Sequence, residues 1–141
     1  MMAVDFSPDF TTRYGEPAGD WMLQALATLM KENVREVDMV ARYGKQEFVI
    51  LLPMIDIGET AALADRLRGL VEQQAWQHPS FGPLHITVSL GVAAIPMQGI
   101  ETAERLIACA DKALQRAKAA GCNRIEIHNP GADDQPSSAP P

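Results

Sequence analysis

Two side chains near the middle of the chain, Arg35 and Asp38, are of types that can grip an anionic or purine-bearing ligand. An arginine fork takes a phosphate, or the O6 and N7 atoms of guanine, through two parallel hydrogen bonds. A carboxylate accepts from the guanine N1 and N2 hydrogens. Arg35-Glu-Val-Asp38 sets the two groups at the junction of a helix and a strand, which can fix their separation. The same pair also has a purely structural use. A cation at a helix C-terminus favours the dipole, and Asp38 can simply pair with it. The spacing alone is weak, since the composition gives about 0.5 chance matches to R-x-x-D. The remaining reactive residue types are scattered. Cys109 and Cys122 lack metal-ligand spacing, and His85, on a strand face opposite the apolar one, has no metal partners around it. His78 and His128 read as surface residues. Trp21 and Trp76 read as packing residues on helices, and the seven methionines form no cofactor pattern.

The elements that must hold these groups follow from periodicity. Met1 to Val4 reads as a buried strand. Pro17 suits a helix first turn, and Met22, Ala25, Leu26, Leu29 and Met30 trace one face of a helix running to about Val34. Met39 to Tyr43 and Glu47 to Pro53 read as strands joined by a tight turn at Gly44-Lys45-Gln46. The second is apolar on both faces, which predicts a central place in the sheet. Asp56 caps a helix carrying Leu63, Leu67, Leu70 and Val71. Leu84 to Val92 alternates as a strand. A long helix spans Ala103 to Ala119 and stops at Gly121, and Arg124 to His128 alternates as a last strand. A hairpin inside such a series implies a mixed or antiparallel sheet, of five strands, with helices packed on it, an α/β (α+β) fold.

Length and composition narrow the function classes. The chain has 141 residues, 47% of them apolar and 21% charged, with a formal net charge of −6. That suits one globular domain, read as residues 1–129, and argues against broad nucleic-acid binding, which needs a basic face. The longest apolar run, Phe48 to Ile55, is too short to cross a bilayer, so no membrane insertion is expected. The N-terminus lacks the layout of a signal peptide, and a cytoplasmic location is expected. Residues 130–141, rich in Pro, Ser, Ala and Asp, read as a disordered tail.

Four stretches now gain a common meaning. Arg42-Tyr-Gly-Lys-Gln-Glu-Phe-Val-Ile-Leu-Leu-Pro53 resembles the signature hairpin of the GGDEF family, the diguanylate cyclases, whose pattern is R-Y-G-G-D/E-E-F before an apolar strand. Tyr14-Gly15 with Gly19-Asp20 resembles the Y-G-x-x-x-G-D segment. Thr87-Val-Ser-Leu-Gly-Val92 resembles T-x-S-x-G-V. Ala110-Asp-Lys-Ala-Leu114 through Gly121-Cys-Asn123 resembles A-D-x-A-L-Y-x-A-K-x-x-G-R-N. The resemblance spans Met1 to His128 in order and implies a ferredoxin-like, nucleotidyl-cyclase-like sheet of mixed, mainly antiparallel form. The family's usual preceding helix, with its L-T-G-L-x-N-R-R segment, has no counterpart, which suggests a truncation or a boundary with an upstream domain.

The resemblance also implies a chemistry and its loss. Family members join two GTP into cyclic di-GMP with divalent metals, which need carboxylate oxygens. The two metal-ligand positions are Ala3 and Gln46 here, so no catalytic residues, no metal and no cofactor are expected, and Mg²⁺ matters only if the chain is an active cyclase. Lys45 stands where a glycine admits the nucleotide, and Ser7-Pro8-Asp9-Phe10-Thr11-Thr12 replaces F-K-x-x-N-D. Asp20, Glu47 and Lys118 remain as matches to the nucleotide site. Arg35 and Asp38 fall at the family's R-x-x-D inhibitory site, and Arg66 falls on its accessory arginine. The leading expectation is a catalytically inactive GGDEF domain acting as a cyclic di-GMP receptor through Arg35, Asp38 and Arg66. An active diguanylate cyclase and a dimerising or docking module without nucleotide binding are the alternatives. Partners expected are cyclic di-GMP, a second copy or an upstream receiver or sensor domain, and an unknown protein output.

Overall fold

The computed structural model describes residues 1–133. Strand β1 (Met2–Asp5) leads through a short helix α1 (Phe10–Tyr14) into α2 (Glu16–Glu32), then the hairpin β2 (Met39–Arg42) and β3 (Glu47–Leu51). Helix α3 (Ile57–Gln73) follows, then a small hairpin β4 (Trp76–His78) and β5 (Gly82–Leu84), strand β6 (Thr87–Val92), α4 (Ala103–Ala119), β7 (Ile125–Ile127) and a single turn α5 (Pro130–Asp133). The expected tail therefore begins with a helical turn, and its remaining residues lie outside those described.

The main sheet has the order β2-β3-β1-β6-β7. Every pairing is antiparallel except β6 with β7. Read from β6, the order β6-β1-β3-β2 is that of a βαββαβ ferredoxin-like unit, extended by β7 through the α4 crossover. The expected mixed, mainly antiparallel sheet is thus observed. The middle strand is β1; β3 is interior but one place off centre, so its two apolar faces report coverage on both sides rather than the central position.

Alternation sends the sheet's residues to two layers. Met2, Val4, Phe48, Val88 and Leu90 pack with Met22, Leu26 and Met30 of α2 and Leu67 and Val71 of α3. On the other face Met1 and Ala3 pack with Ala110 and Leu114 of α4. Here Gly91 is required by close approach. A Cβ at that position would lie 2.0 Å from the Ala110 carbonyl oxygen and 2.3 Å from the Leu114 nitrogen. The helix backbone therefore rests directly on the strand.

Local signals set the helix starts. Asp56 Oδ1 accepts from the Glu59 amide at 2.7 Å, the expected cap of α3, and Thr102 Oγ1 accepts from the Arg105 amide at 3.1 Å at the start of α4. Two expectations change. The run from Leu84 to Val92 is not one strand: Leu84 closes the β4–β5 hairpin, and β6 begins at Thr87. Trp76 consequently lies on a strand, not a helix, with its indole Nε1 donating to the Val71 carbonyl at 3.2 Å. His128, read as a surface residue, is buried, and its amide donates to the Val92 carbonyl at 2.7 Å.

Candidate functional site

Helix α2 ends at Glu32, and Asn33 caps it, its amide donating to the Met30 carbonyl at 3.1 Å. The chain then turns into β2, and this turn presents Arg35 and Asp38. The Arg35 side chain closes on Asp38: Nη2 donates to Oδ1 at 2.7 Å, Nε reaches both oxygens at 3.1 Å, and the Arg35 amide donates to Oδ2 at 2.7 Å. Nη2 also donates to the Pro53 carbonyl at 2.6 Å, which ties the turn to the end of the β3 hairpin. The Asp38 side chain has no exposed surface, whereas 46% of the Arg35 side chain stays exposed. Hydrogen bonding from Arg35 holds the Asp38 carboxyl below its ordinary value. Arg66, from α3, donates through Nη2 to the Asn33 carbonyl at 2.8 Å, placing a cation against the C-terminus of α2.

These three residues share one depression of about 560 Å³, together with Glu32, Asn33, Val34, Ile55 and Leu63. Its volume falls in the range of small-ligand sites. Two arginines line it together with the apolar residues Val34, Ile55, Ala62 and Leu63, a combination suited to a flat base bearing a phosphate.

The region where the resemblance would place metal chemistry is built differently. Ala3 and Glu47 are directly paired across β1 and β3. Ala3 is 1% exposed and packs among Ala110 and Leu114, so the position of one carboxylate ligand is an apolar contact. Lys45 and Gln46 are exposed at the tip of the hairpin, which is pinned by the Tyr43 amide donating to the Glu47 carbonyl at 2.9 Å and by Arg42 Nη2 donating to the Lys45 carbonyl at 3.1 Å. Glu47, half-buried, follows Gln46 and faces Ala3 across the strand pair, but it is neither of the two metal-ligand positions that the resemblance implies. No cluster of three His, Cys, Asp or Glu side chains suited to a metal occurs among the described residues. Mg²⁺ in a nucleotide site is usually held by one or two carboxylates together with substrate phosphates, and Ala3 and Gln46 supply no carboxylate here. Asp20 is exposed on α2 and Lys118 half-buried on α4. Among the described residues no hydrogen bond or ion pair joins them to each other or to Glu47, and none of the three lines the depression at Arg35.

One polar centre escaped the sequence reading. The Asp5 carboxylate accepts from Thr87 Oγ1 at 2.9 Å, Ser89 Oγ at 2.9 Å and the Asn123 amide at 3.0 Å. Asn123 in turn donates to Glu72, and Arg68 bridges Glu72 and Asn123. The loop that allows this, Gly121 to Asn123, is left-handed throughout, with φ of 120°, 64° and 49°. The signal was present as the i, i+2 pair Thr87 and Ser89 opposite Asp5, whose register only the sheet pairing reveals. Cys122, in the same loop, has its thiol pushed up by burial, which opposes thiolate reactivity.

A second depression of about 590 Å³ is apolar, running from Met1 and Met2 past Val49 and Leu51 to Ile107 of α4. No helix among the described residues is long and apolar enough to cross a membrane.

The family model of the GGDEF domain, diguanylate cyclase, matches residues 1–124. Diguanylate cyclase A of Treponema denticola is 32% identical over 127 residues, covering 90% of this chain and 34% of that protein. The chain thus spans about a third of that relative's length. An EAL/GGDEF domain protein of M. capsulatus superposes with a TM-score of 0.79 at 32% identity, covering 92% of this chain and 82% of that one. The GGDEF domain of DgcB from Caulobacter crescentus, solved with c-di-GMP, shares the fold with a TM-score of 0.79 at 23% identity, covering 90% of this chain and 74% of that one. With the sheet order, the hairpin and the family match in agreement over nearly all the described residues, the chain belongs to the GGDEF, or diguanylate cyclase, family.

Proposed function

We propose that this GGDEF domain has lost nucleotidyl transfer and serves as a receptor for cyclic di-GMP, bound through Arg35, Asp38 and Arg66. The observation that carries the reading is the shared depression: residues 35, 38 and 66 meet around one ligand-sized hollow. The metal-ligand positions meanwhile hold a buried alanine and an exposed glutamine. The Caulobacter neighbour holds cyclic di-GMP on the same fold, which makes that dinucleotide the ligand to test. In this reading Arg35 and Arg66 neutralise the phosphates or fork onto guanine O6 and N7. The Asp38 carboxylate holds Arg35 in place. Glu47 and Asp20 have no metal-bound triphosphate to serve. An occupied receptor needs an output, and a second copy, an upstream receiver or sensor domain, or another protein would supply it.

Titration calorimetry with cyclic di-GMP tests the proposal, with binding expected in the low micromolar range or tighter. An absence of heat at tens of micromolar overturns it. A GTP conversion assay with Mg²⁺ and Mn²⁺ is expected to give no product above a blank; turnover there would make the chain an active cyclase.

A further inference from the structure

The two edges of the main sheet are finished differently. At β7, Arg116 Nη2 donates to the Ile127 carbonyl at 2.6 Å, so a side chain occupies that edge. At β2 nothing comparable occurs. The Tyr43 amide donates to the Glu47 carbonyl, and Ala41 is paired with Val49, so the odd-numbered residues bond inward to β3. The peptide groups of Val40 and Arg42 therefore point away from the sheet. Among the described residues no hydrogen bond reaches them from that side. The strand Met39–Arg42 has no proline and no lysine, two residues that commonly blunt an edge. Its single charge is folded back on its own hairpin. Arg42 Nη2 donates to the Lys45 carbonyl at 3.1 Å, and its guanidinium lies 5.6 Å from the Phe48 ring centre. Four of the eight large apolar side chains exposed among the described residues, Val37, Met39, Tyr43 and Leu51, gather at this edge.

We propose that β2 is a dimerisation edge, at which a second copy of this chain adds its own β2 antiparallel about a two-fold axis at Ala41. The register follows by elimination. Only even-numbered residues offer backbone groups outward, so the axis falls at residue 40, 41 or 42. An axis at Val40 needs the Asp38 amide, which already donates to the Arg35 carbonyl at 3.0 Å. An axis at Arg42 sets two arginines side by side and needs the Gly44 amide, which donates inward to the Glu47 carbonyl at 3.4 Å. An axis at Ala41 meets neither obstacle. It pairs Val40 with the partner's Arg42 on both sides, through backbone groups that are otherwise bare. It also sets Met39 against the partner's Tyr43, in the non-hydrogen-bonded positions where side chains come closest. Met39 is 54% and Tyr43 56% exposed, so the pairing covers what the single chain leaves open. One four-residue strand per copy buries less than the roughly 800 Å² per partner of a standard stable interface. The dimer is therefore reversible and concentration-dependent. It joins two five-stranded sheets into one and stands independently of any ligand at the α2–β2 turn.

Sedimentation velocity on the full chain, without ligand and from micromolar to near-millimolar concentration, should show a dimer fraction that rises with concentration. A monomer throughout overturns the proposal. Engineered cysteines read the register. In Ala41→Cys the two thiols meet at the axis, where paired Cα atoms lie about 4.5 Å apart, within disulfide reach. In Met39→Cys they lie about 13 Å apart along the strands, out of reach. Mild oxidation should link Ala41→Cys at least about tenfold faster than Met39→Cys or wild type, whose Cys109 is buried and Cys122 half-buried. Equal rates in the two variants overturn the register. Met39→Glu and Tyr43→Lys, both at exposed positions, should each weaken the dimer by up to about tenfold, two cross-strand pairs being lost at once. The double variant should regain affinity, because the register sets every glutamate against a lysine. A double variant no tighter than either single one overturns the assignment.

Discussion

Arg35 carries two duties, holding the turn before β2 and facing the depression, and removing it separates them. Arg35→Ala should weaken cyclic di-GMP by about tenfold or more, the worth of a bidentate arginine–guanine contact, read by calorimetry. It also strips the unexposed Asp38 carboxylate of its guanidinium donors, leaving it the backbone amide of residue 35, so the variant's urea midpoint should fall as well. The pH dependence of the pair follows from its direction. The folded-state value of Asp38 is held below the ordinary 3.8 by hydrogen bonding from Arg35. Its contribution to stability is therefore complete above about pH 4 and lost as pH falls through the depressed folded value. In Asp38→Asn the gap between urea midpoints at pH 7 and pH 3 should narrow; an unchanged gap would show that the carboxylate plays no part. Arg35 and Asp38 were legible as a spaced pair, whereas their meaning and the addition of Arg66 came only from the family register, since residue types on two separate elements share no spacing that a sequence shows. The saturation of Asp38 was not legible. Whether an aspartate faces solvent or its own neighbour depends on one side-chain rotamer and, here, on the Pro53 carbonyl that anchors Arg35 from eighteen residues further along the chain.

At the level of elements, Asp5 shows how a strand end and a loop are welded. Asp5→Ala leaves the Thr87 and Ser89 hydroxyls and the Asn123 amide without their acceptor, which should cost about 2–3 kcal/mol in chemical denaturation. A loss below about 0.5 kcal/mol would mean that water replaces the carboxylate at no cost. The elements that sequence periodicity captured were those with long amphipathic faces. Helix α4 matches its expected bounds, Ala103 to Ala119, because the inward apolar residues Leu106, Ala110, Ala113, Leu114 and Ala117 and the stop at Gly121 mark it. The β4–β5 hairpin was missed for a physical reason. Leu84, Ile86, Val88, Leu90 and Val92 are all buried and alternate without interruption, so the pattern continues through His85 while the hydrogen-bonding partner changes from β4 to β1. Periodicity reports which way a side chain points and is blind to the strand it pairs with.

For the whole molecule, ligand binding must appear as stability. A receptor of the proposed kind gains about 2.7 kcal/mol at a ligand concentration one hundred times Kd. That corresponds to a midpoint rise on the order of 10 °C for a domain of this size. Differential scanning fluorimetry with cyclic di-GMP should show the rise in wild type and lose most of it in Arg35→Ala. A flat response in wild type would leave a scaffold without a nucleotide role. Fold class was legible in the sequence because the order of helical and strand-like segments, with one hairpin among them, admits few right-handed topologies. The position of β1 in the middle of the sheet was not, since a four-residue apolar strand carries no information about its neighbours.

Gly91 finally constrains which sequences can share this architecture. Two glycines in helices, Gly19 and Gly69, have open space where a side chain would begin. Both should accept alanine, with a gain of about 0.5–1 kcal/mol from helix propensity. Position 91 admits no side chain at all, because the obstacle is main chain on both counts and main chain cannot repack. In a saturation library screened for folded protein, positions 19 and 69 should therefore tolerate many residue types, the flanking Leu90 and Val92 should trade among apolar types, and position 91 should return glycine only. A folded variant carrying alanine at 91 would show that α4 can lift from the sheet. The seam between helix and strand is thus written in a single codon, and drift in the rest of α4 is free only so long as that codon stays fixed.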